Sequence, residues 1–152
     1  MSTHEHEYEA DRDSGLSHVH SMWAADHASA LLGIELLDVG VQDGLGFART
    51  RMVVKHSMVN GLDIQHGGYI FTLADSTFAL ACNAAGRFTV AAGADIVYVT
   101  SGYLGDVLIA DARERATWGR SGITDVTVTR EADGGLVAEF RGQSRSLVQH
   151  HD

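Results

Sequence analysis

One carboxylate stands out in the stretch NGLDIQHGGYIFTLADSTFALACNAAG, which runs from Asn60 to Gly86. Asp75 is set among Leu73, Ala74, Phe78 and Ala79. Burying its charge there costs on the order of several kcal/mol unless something stabilises it. Upstream, His66, Gly67 and Gly68 mark the point where a loop gives way to the apolar run. The start of a helix presents unpaired N–H groups and a partial positive charge, and glycines there let another molecule approach the backbone closely. Such a place suits a polarised carbonyl whose oxygen becomes negative during reaction. Each feature also has a structural use: Asp75 can hydrogen-bond a neighbouring loop, and His66 can cap the helix. The three in this order and at this spacing are far more specific than any one alone.

The elements that position these groups follow from hydropathy and punctuation. A helix is predicted from near Gly68 to about Ala85, stopped by Gly86. Tyr69, Ile70, Leu73, Ala74, Phe78, Leu80 and Ala81 leave it no broad polar face, so it should be buried nearly all round. Asp75 then lies two turns in, about 12 Å along the axis from the helix start. That is too far for one subunit to hold a single reacting carbon between the two. A two-fold dimer with antiparallel neighbouring helices brings Asp75 of one chain near Gly67 of the other.

Before this helix, SMWAADHASALL, residues 21–32, has the spacing of a short amphipathic helix, with Gly33 as its stop. Strands are predicted over 34–39 and 47–54, joined by the hairpin signal QDGLG. A long loop fills 55–68. Four further strands are expected over 89–100, 107–118, 123–130 and 136–147, the last two joined through EADGG. Strands linked by short turns form an antiparallel sheet, so the reading is an α+β fold with the sheet wrapped around the buried helix.

The chain's 152 residues fit one domain. Residues 1–20 are polar, acidic and His-containing, and read as a flexible tail before a single domain over 21–152. His4, His6, His18 and His20, like His150 and His151, lack the Cys partners or fixed register of a metal site, so no metal is expected. A net charge of −9 with scattered basic residues argues against nucleic acid. The single Cys82 excludes an intrachain disulfide. With neither a secretory signal nor an apolar run of membrane-spanning length, a cytoplasmic protein is expected.

The segment HGGYIFTLADSTFALACNAAG resembles the signature of the hotdog-fold acyl-CoA thioesterases, most closely their phenylacetate-degradation (PaaI-type) branch. SALLGIELLDV, GYLGDVLIADA, GRSGITDVTV and AEFRGQSRSL extend the likeness over roughly Trp23 to Leu147. The resemblance implies a hotdog fold, two subunits paired side by side with shared active sites, and a dimer of dimers. The implied reaction is hydrolysis of an acyl-CoA to the free acid and CoA, with no metal or cofactor. Asp75 falls on the catalytic carboxylate, as general base on water or as direct nucleophile. Gly67 falls on the backbone donor to the thioester carbonyl, His66 on the residue that organises it, and Asn60 lies in the loop before it. The physics agrees: a thiolate leaves readily, so a base and a sink for oxyanion charge suffice. CoA phosphates need local cations, and Arg120 with Ser121, and Arg141 with Ser144, are the candidates. Trp23, Phe71 and Phe78 are candidates for either the acyl pocket or the core.

The implied substrates are phenylacetyl-CoA or its hydroxylated and ring-modified derivatives. A thioesterase for medium-chain aliphatic acyl-CoA and a non-catalytic acyl-CoA-binding module are the alternatives. A hotdog hydratase is disfavoured, because His66 precedes Asp75 and sits in a glycine loop. The sequence departs from the family where many members carry a proline: here Thr100, Ser101 and Gly102 stand after the third strand, and the chain has no proline at all.

Overall fold

The structure, a computed structural model, describes residues 15–147. It opens with α1 over 15–24 and a short α2, His27–Leu31. Then come β1 (Glu35–Gln42), β2 (Leu45–Val53), a 3-10 turn at His56–Met58 and the long α3 (Gly67–Asn83). The chain finishes with β3 (Thr89–Tyr98), β4 (Val107–Trp118), β5 (Ser121–Arg130) and β6 (Leu136–Ser146). All six strands form one antiparallel sheet in the order β1-β2-β4-β5-β6-β3.

The predicted hairpins form as their residues dictate. Asp43 and Gly44 both have positive φ, 54° and 77°, which is the two-residue turn whose twist matches the flanking strands. Across the sheet, α3 presses Leu73, Ala74, Thr77, Phe78 and Leu80 into the core. Phe78 meets Phe140 of β6 at a ring separation of 5.8 Å, and Phe71 meets the same ring at 5.4 Å. Fully burying side chains such as Leu73 and Phe78 contributes roughly 1.5–3 kcal/mol each. The helix approaches β2 so closely that a Cβ on Gly46 would stand 1.8 Å from the carbonyl oxygen of Ala81.

Three expectations need correction. Residues 15–20 belong to α1 rather than to a flexible tail, because Val19 is fully buried and His18 hydrogen-bonds the carbonyl of Asn83. His4 and His6, and His150 and His151, lie outside the described residues. The helix expected over 21–32 is broken at 25–26, because Asp26 caps a new helix by accepting from the Ser29 N–H at 2.9 Å. Nor is α3 buried all round. It lies on one face of a single sheet, and Gly68, Thr72, Asp75 and Ala79 form a stripe that α1 and α2 leave open. Shorter adjustments move element ends by up to three residues, extending β1 to Gln42, bringing Ser121 into β5 and ending α3 at Asn83.

Candidate active site

The loop before α3 is built to aim the helix start. Asn60 accepts from the N–H groups of Leu62 (2.9 Å) and Ile64 (3.4 Å) through its side-chain oxygen. A bridge between Val59 and Gln65 closes the loop, and Asp63 takes a positive φ of 60° inside it. Asn60 thus shapes the loop, with its carbonyl oxygen already committed to the backbone. Next, the His66 N–H donates to Met58 O at 2.7 Å, which pins the helix start to the 3-10 turn.

His66 is the N-cap of α3. Its Nδ1 accepts from the Gly68 N–H at 3.0 Å, and its carbonyl accepts from the Tyr69 N–H, also at 3.0 Å. Among the described residues, the N–H of Gly67 makes no hydrogen bond. It is therefore a free donor at the positive end of a 17-residue helix. Tyr98 of β3 closes over this turn, donating its hydroxyl to Gly67 O at 3.0 Å. A Cβ at position 67 would meet that ring at 3.0 Å, so the glycine lets the tyrosine pack this closely on the backbone.

Asp75 sits on the open stripe of α3. Its carboxylate makes no hydrogen bond or ion pair with any described residue. Burial raises its pKa, and the negative charge of Asp26 raises it further. The structural use of Asp75 as a loop anchor thus finds no partner. What remains is a half-buried carboxylate of elevated basicity with no partner among the described residues, facing a side of the helix that the described residues do not cover.

Gln65 was missed in the sequence. It is 3% exposed, and neither atom of its carboxamide has a partner among the described residues, although its backbone N–H donates to Gly102 O at 2.8 Å. A Cβ on Gly102 would fall 2.2 Å from Gln65 Oε1. The segment after β3 thus runs against the floor of the helix start, and its glycine leaves room for the buried glutamine.

The candidate CoA residues separate. Ser144 and Ser121 border a cavity of about 760 Å³ near the C-terminal end of α3, which Cys82, Arg87 and Glu114 also line. Neither Asp75 nor Gly67 borders it. Arg141 lies on the other face of β6 from Ser144, where Asp125 holds its guanidinium through two contacts of 2.6 and 3.0 Å. Arg120 is exposed in the β4–β5 turn and forms no ion pair among the described residues. Of the aromatic candidates, Phe78 is core and Trp23 and Phe71 are partly buried against it. Among the described residues no group of His, Cys, Asp and Glu could hold a metal, and no helix is long and apolar enough to cross a membrane.

The family model of the thioesterase superfamily matches residues 62–137, from the loop before α3 into β6. The chain is similar to the acyl-coenzyme A thioesterase PaaI of Escherichia coli K12, with 35% identity over 128 residues, covering 84% of this chain and 88% of that one. The solved structure of the E. coli PaaI protein from the phenylacetic acid degradation operon matches with a TM-score of 0.82 at 33% identity, over 90% of this chain and 96% of that one. A Streptococcus mutans protein, smu.793, solved bound to acetyl-CoA, matches with a TM-score of 0.70 at 27% identity, over 78% of this chain and 91% of that one.

Proposed function

This chain is a hotdog-fold member of the thioesterase superfamily and a thioester hydrolase, and we propose that it hydrolyses aryl-acetyl-CoA thioesters in aromatic catabolism. Phenylacetyl-CoA or a ring-modified derivative is the substrate, and the products are the free acid and CoA. One observation carries the site assignment: Asp75 is a half-buried carboxylate with no partner among the described residues, on the open side of the helix whose first N–H is also free.

In this reading the thioester carbonyl accepts from the Gly67 N–H, and His66 holds that turn in place through its bond to Gly68. Asp75 removes a proton from water as the water attacks, or attacks the carbonyl carbon itself to give a mixed anhydride that a second step, attack by water, hydrolyses to the free acid and the regenerated carboxylate. Negative charge gathers on the carbonyl oxygen, and the helix start stabilises it. The carbon–sulfur bond then breaks, and CoA leaves as the thiolate. Because Asp75 and Gly67 are about 12 Å apart along one helix axis, each site takes Gly67 from one subunit and Asp75 from the other. The exposed β3 edge and the open stripe of α3 support this pairing. At the nucleotide end, Arg120 beside Ser121 is the stronger phosphate ligand, since Arg141 is already held by Asp125. The acyl preference rests on likeness to the PaaI branch.

Release of free thiol from phenylacetyl-CoA and from aliphatic acyl-CoAs of medium chain length tests both levels. Wild type should turn over phenylacetyl-CoA fastest, and Asp75→Asn should lose about 100-fold or more in kcat. A preference for aliphatic chains would replace the substrate assignment, and binding without turnover in wild type would replace the enzyme by a binding module.

A further inference from the structure

We infer that Asp26 is a functional partner of Asp75: its carboxylate, fixed at the start of α2 and locked to α3 through the Ser29–Ser76 pair, sets the charge environment in which Asp75 works. The inference rests on the reading of Asp75 as the catalytic carboxylate.

The geometry is a chain of short contacts between two helices. Asp26 Oδ1 accepts from the Ser29 N–H at 2.9 Å, and Oδ2 accepts from the Ser29 hydroxyl at 2.6 Å. With its proton so directed, Ser29 Oγ accepts from the hydroxyl of Ser76 at 2.8 Å. Ser29 is 1% exposed and Ser76 9%, so this is an internal lock rather than a surface contact. Ser76 is the residue after Asp75. A helix of five residues is thereby held against α3, its acidic cap joined through Ser29 to Ser76 and close enough for its charge to act on Asp75. Both oxygens of Asp26 are used, which fixes the position of its charge.

Two nearby carboxylates repel, so each makes the other hold a proton more tightly. Asp75 responds in that sense, first to its own burial and then to Asp26, and no cation among the described residues offsets the effect. The other groups on this side act elsewhere or not at all. On α3, Cys82 is a buried thiol pushed up to about 12, so it stays neutral. From β4, Glu114 acts on Cys82, and from α1 His18 is engaged by Asn83 O. Tyr98 of β3 is bonded at Gly67. Arg49 of β2 pairs with Asp111 of β4, and Arg141 of β6 with Asp125 of β5, on the outer face, while Arg113 and Arg145 are exposed. Asp38 of β1, Asp95 of β3 and His27 of α2 are exposed.

The test is the pH profile of kcat/KM for phenylacetyl-CoA. Asp26→Asn and Asp26→Ser both remove the charge and keep a good N-cap residue, so either supplies the measurement if the other fails to fold. In both, the acid limb should move to lower pH, so that the ratio of variant to wild-type kcat/KM rises as pH falls. A merely structural Asp26 would change melting temperature and leave the limb in place, and an unmoved limb overturns the inference. Asp75→Asn is run alongside. If it is inactive and the limb is unmoved, only the role of Asp26 fails; if it retains turnover, the assignment of Asp75 itself fails and takes this inference with it.

Discussion

Asp75, the carboxylate proposed for catalysis, is also a residue the fold would be better without. Burial, reinforced by Asp26, holds the pKa of Asp75 above its ordinary value, so the folded chain keeps this proton more tightly than the unfolded chain does. Its contribution to stability is therefore greatest below the unfolded-state pKa and is lost as pH rises through the folded one. At neutral pH the ionised carboxylate is a liability with no partner. Asp75→Asn should accordingly melt no lower than wild type at pH 7, even as it loses turnover, and that stability gap should close in acid. Thermal melts of both proteins at pH 7 and near pH 4 check this. A large fall in melting temperature at pH 7 would mean that Asp75 holds a structural contact after all.

At the scale of elements, α3 is fixed to the sheet by a polar pair as well as by its apolar face. Thr77 donates to Leu73 O at 2.7 Å and so accepts the hydroxyl of Thr50, also at 2.7 Å, and both threonines are fully buried. Thr77→Val leaves the Thr50 hydroxyl without an acceptor and should cost about 1–3 kcal/mol. Thr50→Val leaves Thr77 bonded to its own helix and should cost less, and the double variant should recover part of the first loss. Denaturant unfolding of the three variants decides this, and equal losses in both singles would contradict the assigned donor direction. Elements of this kind were legible where pattern is local: the hairpins, α3 and all six strands follow from period and from Asp-Gly turns. The Ser29–Ser76 lock was not, because it joins residues far apart in sequence and serine in a helix carries no sign of its partner. The break at Asp26 was hidden for a similar reason, since its capping role is legible only once the residue is seen to start a helix rather than to lie inside one. Asp75 and the His66–Gly67 start were legible because a charge in an apolar helix and glycines at a helix start are local conflicts. Arg141 was misleading because its partner Asp125 stands on the neighbouring strand.

Across the whole molecule, the sheet has two edge strands, β1 and β3, and β3 is the more apolar of the two. Among the described residues β3 pairs only with β6, and Val90, Val97, Tyr98 and Val99 around it are 46–64% exposed. Free strand edges of this apolar kind invite pairing with another chain, which supports the proposed dimer. Val97→Lys should convert dimer to monomer in sedimentation and remove turnover together with it, whereas a fully active monomer would show that each chain holds a complete site. The same arrangement matters while the chain is being made. β3 leaves the ribosome well before β6, its only partner, and at ordinary elongation rates the wait lasts seconds. Throughout that interval the helix carrying Asp75 and the strand carrying Tyr98 have no complete sheet to rest on. A nascent chain stalled before residue 136 should therefore be a client for chaperones, and release of the last strand is the event that ends its exposure.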